Sequence, residues 1–284
     1  MSPIIQHVAY PTLLLLGFVV TWLCYGNSLA PWLMSTIAVA AMAAIVCVGE
    51  RCWPGREDCV GVDQPILFEL THVIAGWLFG YGTAVWLCTL LGELLRSQLG
   101  RALWPSDWAL VWQVPLACLI AEGTSYWQHR FFHRFPSMWR FHKLHHLGSR
   151  LTFVRSGRFH FVDLGVAAFF EWLPLIILGT PAVVLAWISA ITGFFGVVQH
   201  ANIQMKTPPW MTLLIVTPDF HRVHHSSSMA ESDSNYGTVT TIFDIVFGTY
   251  RQPTRDWPDS LGVAGELLPK GIGDQLWPAA GESQ

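Results

Sequence analysis

Ten of the twelve histidines in this chain fall between His129 and His225, and eight of those ten lie in three short clusters. H-R-F-F-H supplies His129 and His133, H-K-L-H-H supplies His142, His145 and His146, and H-R-V-H-H supplies His221, His224 and His225. Side chains three and four apart meet on one face of a helix, so each cluster can aim two or three imidazoles at a common point. A single H-x-x-x-H is a weak signal. Two H-x-x-H-H boxes behind an H-x-x-x-H, all beside apolar segments, are a strong one, because eight imidazoles are costly to bury without partners and metal ions supply partners. A mononuclear zinc enzyme takes three protein ligands and a water, so eight histidines exceed one ion and imply a dinuclear centre. Imidazole suits zinc, copper, iron and nickel alike, which leaves the metal open.

The elements that must position these clusters are set by composition. Apolar residues make up 52% of the 284 and charged residues only 12%, about half the charged share of an ordinary soluble domain. A helix needs about 20 apolar residues to cross a bilayer. Residues 9–25, 32–48, 70–91, 108–127, 163–178 and 183–198 come close to this, so six spans are expected, with a four-span variant if the last two form a shallow hairpin. Met1–Thr12 carries no Lys or Arg, so the first apolar run reads as a span rather than a secretory signal. Seven of the sixteen basic residues lie in 130–158, a stretch with no acidic residue, which suits a cytoplasmic surface and places the N-terminus inside. Arg51 and Arg56 then fall inside, and Arg96 and Arg101 outside. The expected fold class is all-α: a multi-span membrane bundle with a cytosolic helical cap carrying the histidine-rich dimetal site. Three regions follow: membrane spans over 1–100, a catalytic domain over 101–250 and an irregular cytosolic tail over 251–284. The six cysteines contain no C-x-x-C pair, which argues against a disulfide framework or a zinc knuckle.

Beyond the boxes, the sequence resembles the fatty acid hydroxylase and sterol desaturase superfamily of membrane-bound di-iron enzymes over about 122–250. The resemblance rests on E-G-T-S-Y-W-Q-H-R-F-F-H from Glu122 through Tyr126 to His133, F-H-K-L-H-H, R-F-H ending at His160, and Q-H-A-N at 199–202. It continues with T-P-D-F-H-R-V-H-H-S at 217–226, N-Y-G at 235–237 and F-D-I-V-F-G-T-Y at 243–250. It implies that the eight cluster histidines bind two irons and that His200 is an additional ligand. Where some members carry a further histidine, this chain has Gln204. His160 is the candidate tenth ligand, its alternative being a buried histidine hydrogen-bonded near the site. Glu122, Asn202, Asp219, Asn235 and Asp244 are candidates to orient the liganding rings. For Asp219 the competing reading is a helix cap, and for Asp244 a loop hydrogen bond. His7 and His72, remote from the boxes, read as interfacial or packed residues.

The resemblance also implies the chemistry. An iron pair uses dioxygen to oxidise an unactivated C–H bond, giving an alcohol or, by a second hydrogen abstraction, a double bond. The substrate is expected to be a lipid or another hydrophobic molecule, because a site at the membrane surface is reached most easily from the bilayer. No haem, flavin or iron–sulfur signature is present, so a separate ferredoxin or cytochrome with its reductase must deliver electrons. The basic stretch 130–158 is a docking surface for an acidic donor, or alternatively a contact for anionic headgroups. No nucleic-acid partner is expected, and the membrane is taken to be a bacterial inner membrane with the site on its cytoplasmic side. The rival functions are a divalent-metal transporter, which would spread ionisable groups through mid-membrane, and a membrane zinc hydrolase, which would place a Glu base within a cluster.

Overall fold

The computed structural model describes residues 2–100 and 102–278; Arg101 and the tail residues 279–284 named above lie outside it. The described chain is all-helical, with three isolated β-bridges. Its long helices are α1 (Pro3–Gly26), α2 (Pro31–Cys52), α3 (Ile66–Ala75), α4 (Gly82–Leu99), α5 (Leu110–Arg134), α6 (Pro136–His146), α7 (Phe161–Leu178) and α8 (Ala182–Gln199). Short helices follow: α9 (Pro218–His224), α10 (Met229–Ser232), α11 (Ile242–Val246) and α12 (Ile272–Leu276).

Proline sets several helix starts, because its fixed φ suits the first helical position and its missing N–H costs nothing there. Pro136 matters most: Phe135 is held extended ahead of it, so α5 ends and α6 starts with only this one residue between them, reversing the chain between the first two histidine boxes. Pro218, preceded by a Thr217 hydroxyl that accepts from the Phe220 N–H at 3.3 Å, starts α9 and with it the third box.

Five described helices are long and apolar enough to cross a membrane: α1, α2, the α3–α4 rod over Ile66–Gln98, α7 and α8. They make the chain an integral membrane protein. Their outer faces expose Leu15, Trp22, Leu78, Phe79 and Trp86, each about 60% accessible, as lipid-facing residues would be. The expected span over 108–127 differs. Helix α5 does run the length of the bundle, from the end where the Leu103 and Trp104 N–H groups donate to the Leu178 carbonyl to the end that carries His129 and His133. Its second half, however, buries Glu122, Gln128 and both histidines, and it is not among the five apolar helices.

Helix α8 lies at the centre, burying Ile191, Phe194 and Val198 against α1 and α2, and Val184 and Ile188 against α5 and α7. Helix α7 approaches the π-helical turn Gly76–Tyr81 of the α3–α4 rod so closely that a Cβ on Gly80 would meet the Phe161 carbonyl oxygen at 2.3 Å. Only glycine permits that approach, and it fixes the first turn of α7. The tail is irregular but packed. Gln275 is buried against His72 at 2.7 Å, and Trp257 stacks on the Arg222 guanidinium at 4.0 Å.

Candidate metal centre

Nine histidines converge at one end of the bundle as two buried groups. His129, His133, His142, His146 and His224 form one, and His145, His200, His221 and His225 the other. Within each group the candidate ligand atoms all lie within 4.8 Å of one another. The boxes are split between the groups. His142 and His146, four apart, serve the first and His145 the second; His221 and His225, four apart, serve the second and His224 the first. Neighbours in sequence point about 100° apart around a helix, so in each H-x-x-H-H box two imidazoles share one point, as the spacing predicts, and the third turns to the other group.

Hydrogen bonds on the outer ring nitrogens fix the tautomers. His129 Nδ1 donates to the Tyr236 carbonyl (2.8 Å), His224 Nδ1 to the Ser234 carbonyl (2.8 Å) and His200 Nδ1 to the Gly196 carbonyl (2.6 Å). His142 Nδ1 faces the Asp163 carboxylate at 2.8 Å. Each of these rings, neutral, must therefore present a bare lone pair at Nε2. Yet His129 Nε2 lies 3.0 Å from His142 Nε2, and the His133 and His224 Nε2 atoms are buried without a hydrogen-bond partner. Two lone pairs at that distance repel unless a cation lies between them. In the second group the same spacing recurs: His200 Nε2 is 3.1 Å from His145 Nε2 and 3.0 Å from His221 Nε2, and His221 Nε2 is 3.1 Å from His225 Nε2. Two nitrogens that each lie about 2.1 Å from one ion sit about 3.0–3.4 Å apart, so the residues present fit two metal ions.

Burial favours the neutral form of the second group and of His146 and His224 in the first. It pushes His200 down to about 3, and it drives His145, His146, His221, His224 and His225 well below the usual histidine range, with neighbouring imidazoles adding to the effect. The walls around them are aromatic. Phe159 stacks on His145 at 4.1 Å, Trp139 packs on His133 at 4.9 Å and His146 at 5.4 Å, and Tyr236 lies 5.2 Å from His133.

His160 joins neither group. Its Nδ1 accepts from the Val162 N–H at 3.1 Å, capping α7, and its Nε2 faces the Leu276 carbonyl at 3.1 Å, so both nitrogens are engaged away from the centre.

The five candidate orienting residues touch no imidazole in the hydrogen-bond network. Glu122 accepts from the Thr238 N–H and hydroxyl at 2.6 and 2.8 Å and from the Val239 N–H. Asp244 accepts from the Tyr236 and Gly237 N–H groups. Asn235, at φ +60°, bridges the Phe220 and Arg251 carbonyls. These three therefore hold the 234–239 loop, whose carbonyls in turn orient His224 and His129. Asn202 ties to Arg56, and Asp219 takes the Thr207 and Thr217 hydroxyls at the start of α9.

The side chains that do orient the rings escaped sequence reasoning. Asp163 pairs with His142, and Asp233 reaches His133 Nδ1 at 3.3 Å. The only signal for Asp163 was a lone acid in the first turn of an apolar span. Arg155, 3% accessible, donates to the His145 and His146 carbonyls at 3.3 and 3.0 Å and pairs with Asp63 at 2.9 Å. Arg158, 1% accessible, pairs with Glu69 at 3.1 Å. Both belong to the presumed basic surface of 130–158, which is corrected: its last two arginines are internal ties, and Lys143 pairs with Glu266. Arg134 stays exposed and Arg140 half-exposed, beside exposed Phe135 and Met138 at the α5–α6 reversal.

A sequence model of the fatty acid hydroxylase family matches residues 114–249. The chain is 41% identical over 245 residues to the ornithine lipid hydroxylase OlsE of Rhizobium tropici, covering 86% of this chain and 72% of that one. It is 29% identical over 202 residues to the alkylglycerol monooxygenase of Danio rerio, covering 64% of this chain and 45% of the relative. It is 26% identical over 173 residues to methylsterol monooxygenase 1-2 of Arabidopsis thaliana, covering 55% and 52%. The chain thus spans about half the length of the last two. No solved structure matches it.

Proposed function

Because this chain belongs to the fatty acid hydroxylase family, we propose that it is a membrane-bound di-iron oxygenase that hydroxylates an unactivated C–H bond of a polar membrane lipid. The observation that carries this reading is the pair of buried histidine groups whose bare ring nitrogens face one another at 3.0 Å. The names of the relatives support an oxygen-dependent oxidoreductase acting on lipids, and the relative with 41% identity acts on ornithine lipid. Five and four histidines are the ligands of the two irons, and dioxygen is the second substrate. Bound there, the ions supply the reductive activation of dioxygen that C–H oxidation needs. In the net reaction a C–H bond, dioxygen, two electrons and two protons become an alcohol and water.

The chain's own residues have defined tasks. The neutral imidazoles hold the ions at ordinary pH, and Asp163 with the Gly196, Ser234 and Tyr236 carbonyls keeps four rings in the liganding tautomer. Phe159, Trp139 and Tyr236 exclude water from the ligand shell. No side chain serves as a nucleophile. The electron donor is an acidic ferredoxin or cytochrome that docks on the α5–α6 reversal, where Arg134 and Arg140 ring exposed Phe135 and Met138. The membrane is a bacterial inner membrane, with the site on its cytoplasmic side.

The test is turnover of purified protein in nanodiscs with a membrane lipid extract, a chemical reductant and isotopically labelled dioxygen. A lipid carrying one labelled oxygen, formed only with reductant, is the expected product. A desaturated lipid with no label would shift the reading to desaturation. No oxygen-dependent lipid product from iron-loaded protein would overturn it.

A further inference from the structure

Outside the five membrane-crossing helices, the cap carries a second apolar surface. Trp210, Leu213 and Leu214 are 50–61% accessible, and Ile242, Ile245 and Val246 on α11 are 44–65% accessible. These residues, some thirty apart in sequence, form one surface. Ile215 bridges Thr240, the Thr240 hydroxyl donates to the Leu214 carbonyl at 2.8 Å, and the Val216 N–H donates to the Val239 carbonyl at 3.0 Å. A contiguous exposed patch of this kind on a folded cap marks a contact surface.

Its depth identifies the occupant. The Tyr10 hydroxyl, seven residues and about 10 Å into α1, donates to the Val216 carbonyl, and the Lys206 N–H donates to the Gln6 carbonyl at 3.0 Å. Segment 204–216 therefore lies beside the first turns of a membrane-crossing helix. The composition suits the boundary between headgroups and acyl chains. Trp210 is the interfacial aromatic, while exposed Lys206 at the edge can reach lipid phosphates with its long stem.

We infer that segment 210–214 and α11 form a seat that lies in the plane of the bilayer at the headgroup–acyl boundary, distinct from the crossing helices. The seat is one piece with the frame of the metal centre. Thr238 and Val239, which lead into Thr240, are held by Glu122, and Tyr236 and Gly237 are held by Asp244 from α11 itself. The Ser234 and Tyr236 carbonyls in that stretch orient His224 and His129. Lipid contact and ligand orientation thus share one loop.

The inference is independent of the proposed chemistry and is tested without turnover. A Val246→Cys protein, with Cys47, Cys52 and Cys118 changed to Ser, is labelled with an environment-sensitive fluorophore in phosphatidylethanolamine–phosphatidylglycerol nanodiscs. An Asp259→Cys label, on a side chain 87% accessible, is the aqueous reference. The expected result is several-fold stronger quenching at 246 than at 259 by lipids spin-labelled near the headgroup, with several-fold weaker quenching by iodide. A Leu214→Cys label gives the same comparison if the first variant misfolds. Iodide quenching equal to that at 259 would place the surface in water. Quenching by neither agent would show it covered by a second copy or another protein. Either result overturns the inference.

Discussion

Changing Asp163 to Asn or Ala should weaken one metal site and spare the other. The carboxylate is 2% accessible, and it accepts from a His142 ring that is 3% accessible, at 2.8 Å. A buried hydrogen bond to a charged acceptor contributes about 1.5–3 kcal/mol, which corresponds to roughly 10–100-fold in affinity at about 1.4 kcal/mol per factor of ten. Asn keeps an oxygen that can still accept from Nδ1, so the loss should stay near tenfold. Ala removes the acceptor, and the ring is then free to place its proton on Nε2, where it cannot ligate; the loss should approach a hundredfold. His142 belongs only to the five-histidine group, so the four-histidine site should keep its affinity. Competitive chelation titrations followed by metal analysis resolve the two sites. Equal weakening of both sites, or none in the Ala variant, would refute the assignment of His142 to one ion and of Asp163 as its anchor.

His145→Ala and His146→Ala, adjacent in sequence, should lose metal from different sites, each retaining about half the wild-type content and neither supporting turnover; loss of the same ion in both would contradict the split of the box. Arg155→Met takes from Asp63 its nearest guanidinium, leaving the Ser149 and Arg150 N–H groups and Arg158 at 3.6 Å, and uncaps the His145 and His146 carbonyls, so a loss of about 1–3 kcal/mol is expected, read as a lowered unfolding midpoint in detergent. Acid should destabilise the metal-free protein. With His200 held at about 3 against about 6.5 unfolded, the unfolded chain binds the extra proton first, so stability falls by about 1.4 kcal/mol per pH unit for that ring as pH drops from about 6.5 toward 3. The other depressed imidazoles act in the same direction, and a flat denaturation profile between pH 7.5 and 5.5 would contradict their burial as neutral bases.

The helical bundle and the converging histidines were legible in the sequence for different reasons. Apolar runs of membrane length announce themselves, and the fourth run blurs only because α5 must both cross the bundle and deliver Glu122, Gln128, His129 and His133 to its end. Helical spacing revealed which histidines would converge, but not which group each adjacent ring would join, because that depends on where the partner helices stand. Asp163 was invisible as an anchor, since a 14-residue connection with one short 3-10 helix separates α6 from α7 and nothing local sets which ring it meets. Arg155 and Arg158 looked like surface charge because their acids, Asp63 and Glu69, come from about ninety residues upstream. The orienting candidates Glu122, Asn235 and Asp244 were found by motif; their place one step further out, on the loop that presents Ser234 and Tyr236, needed coordinates.

Binding of two iron ions by nine histidines is measured by metal analysis joined to Mössbauer spectroscopy of protein produced in iron-enriched medium. The expected result is two irons per chain in two nitrogen-rich environments, one perturbed by Asp163→Ala and the other unmoved. A single ion per chain, or zinc that iron cannot displace from reconstituted protein, would contradict it.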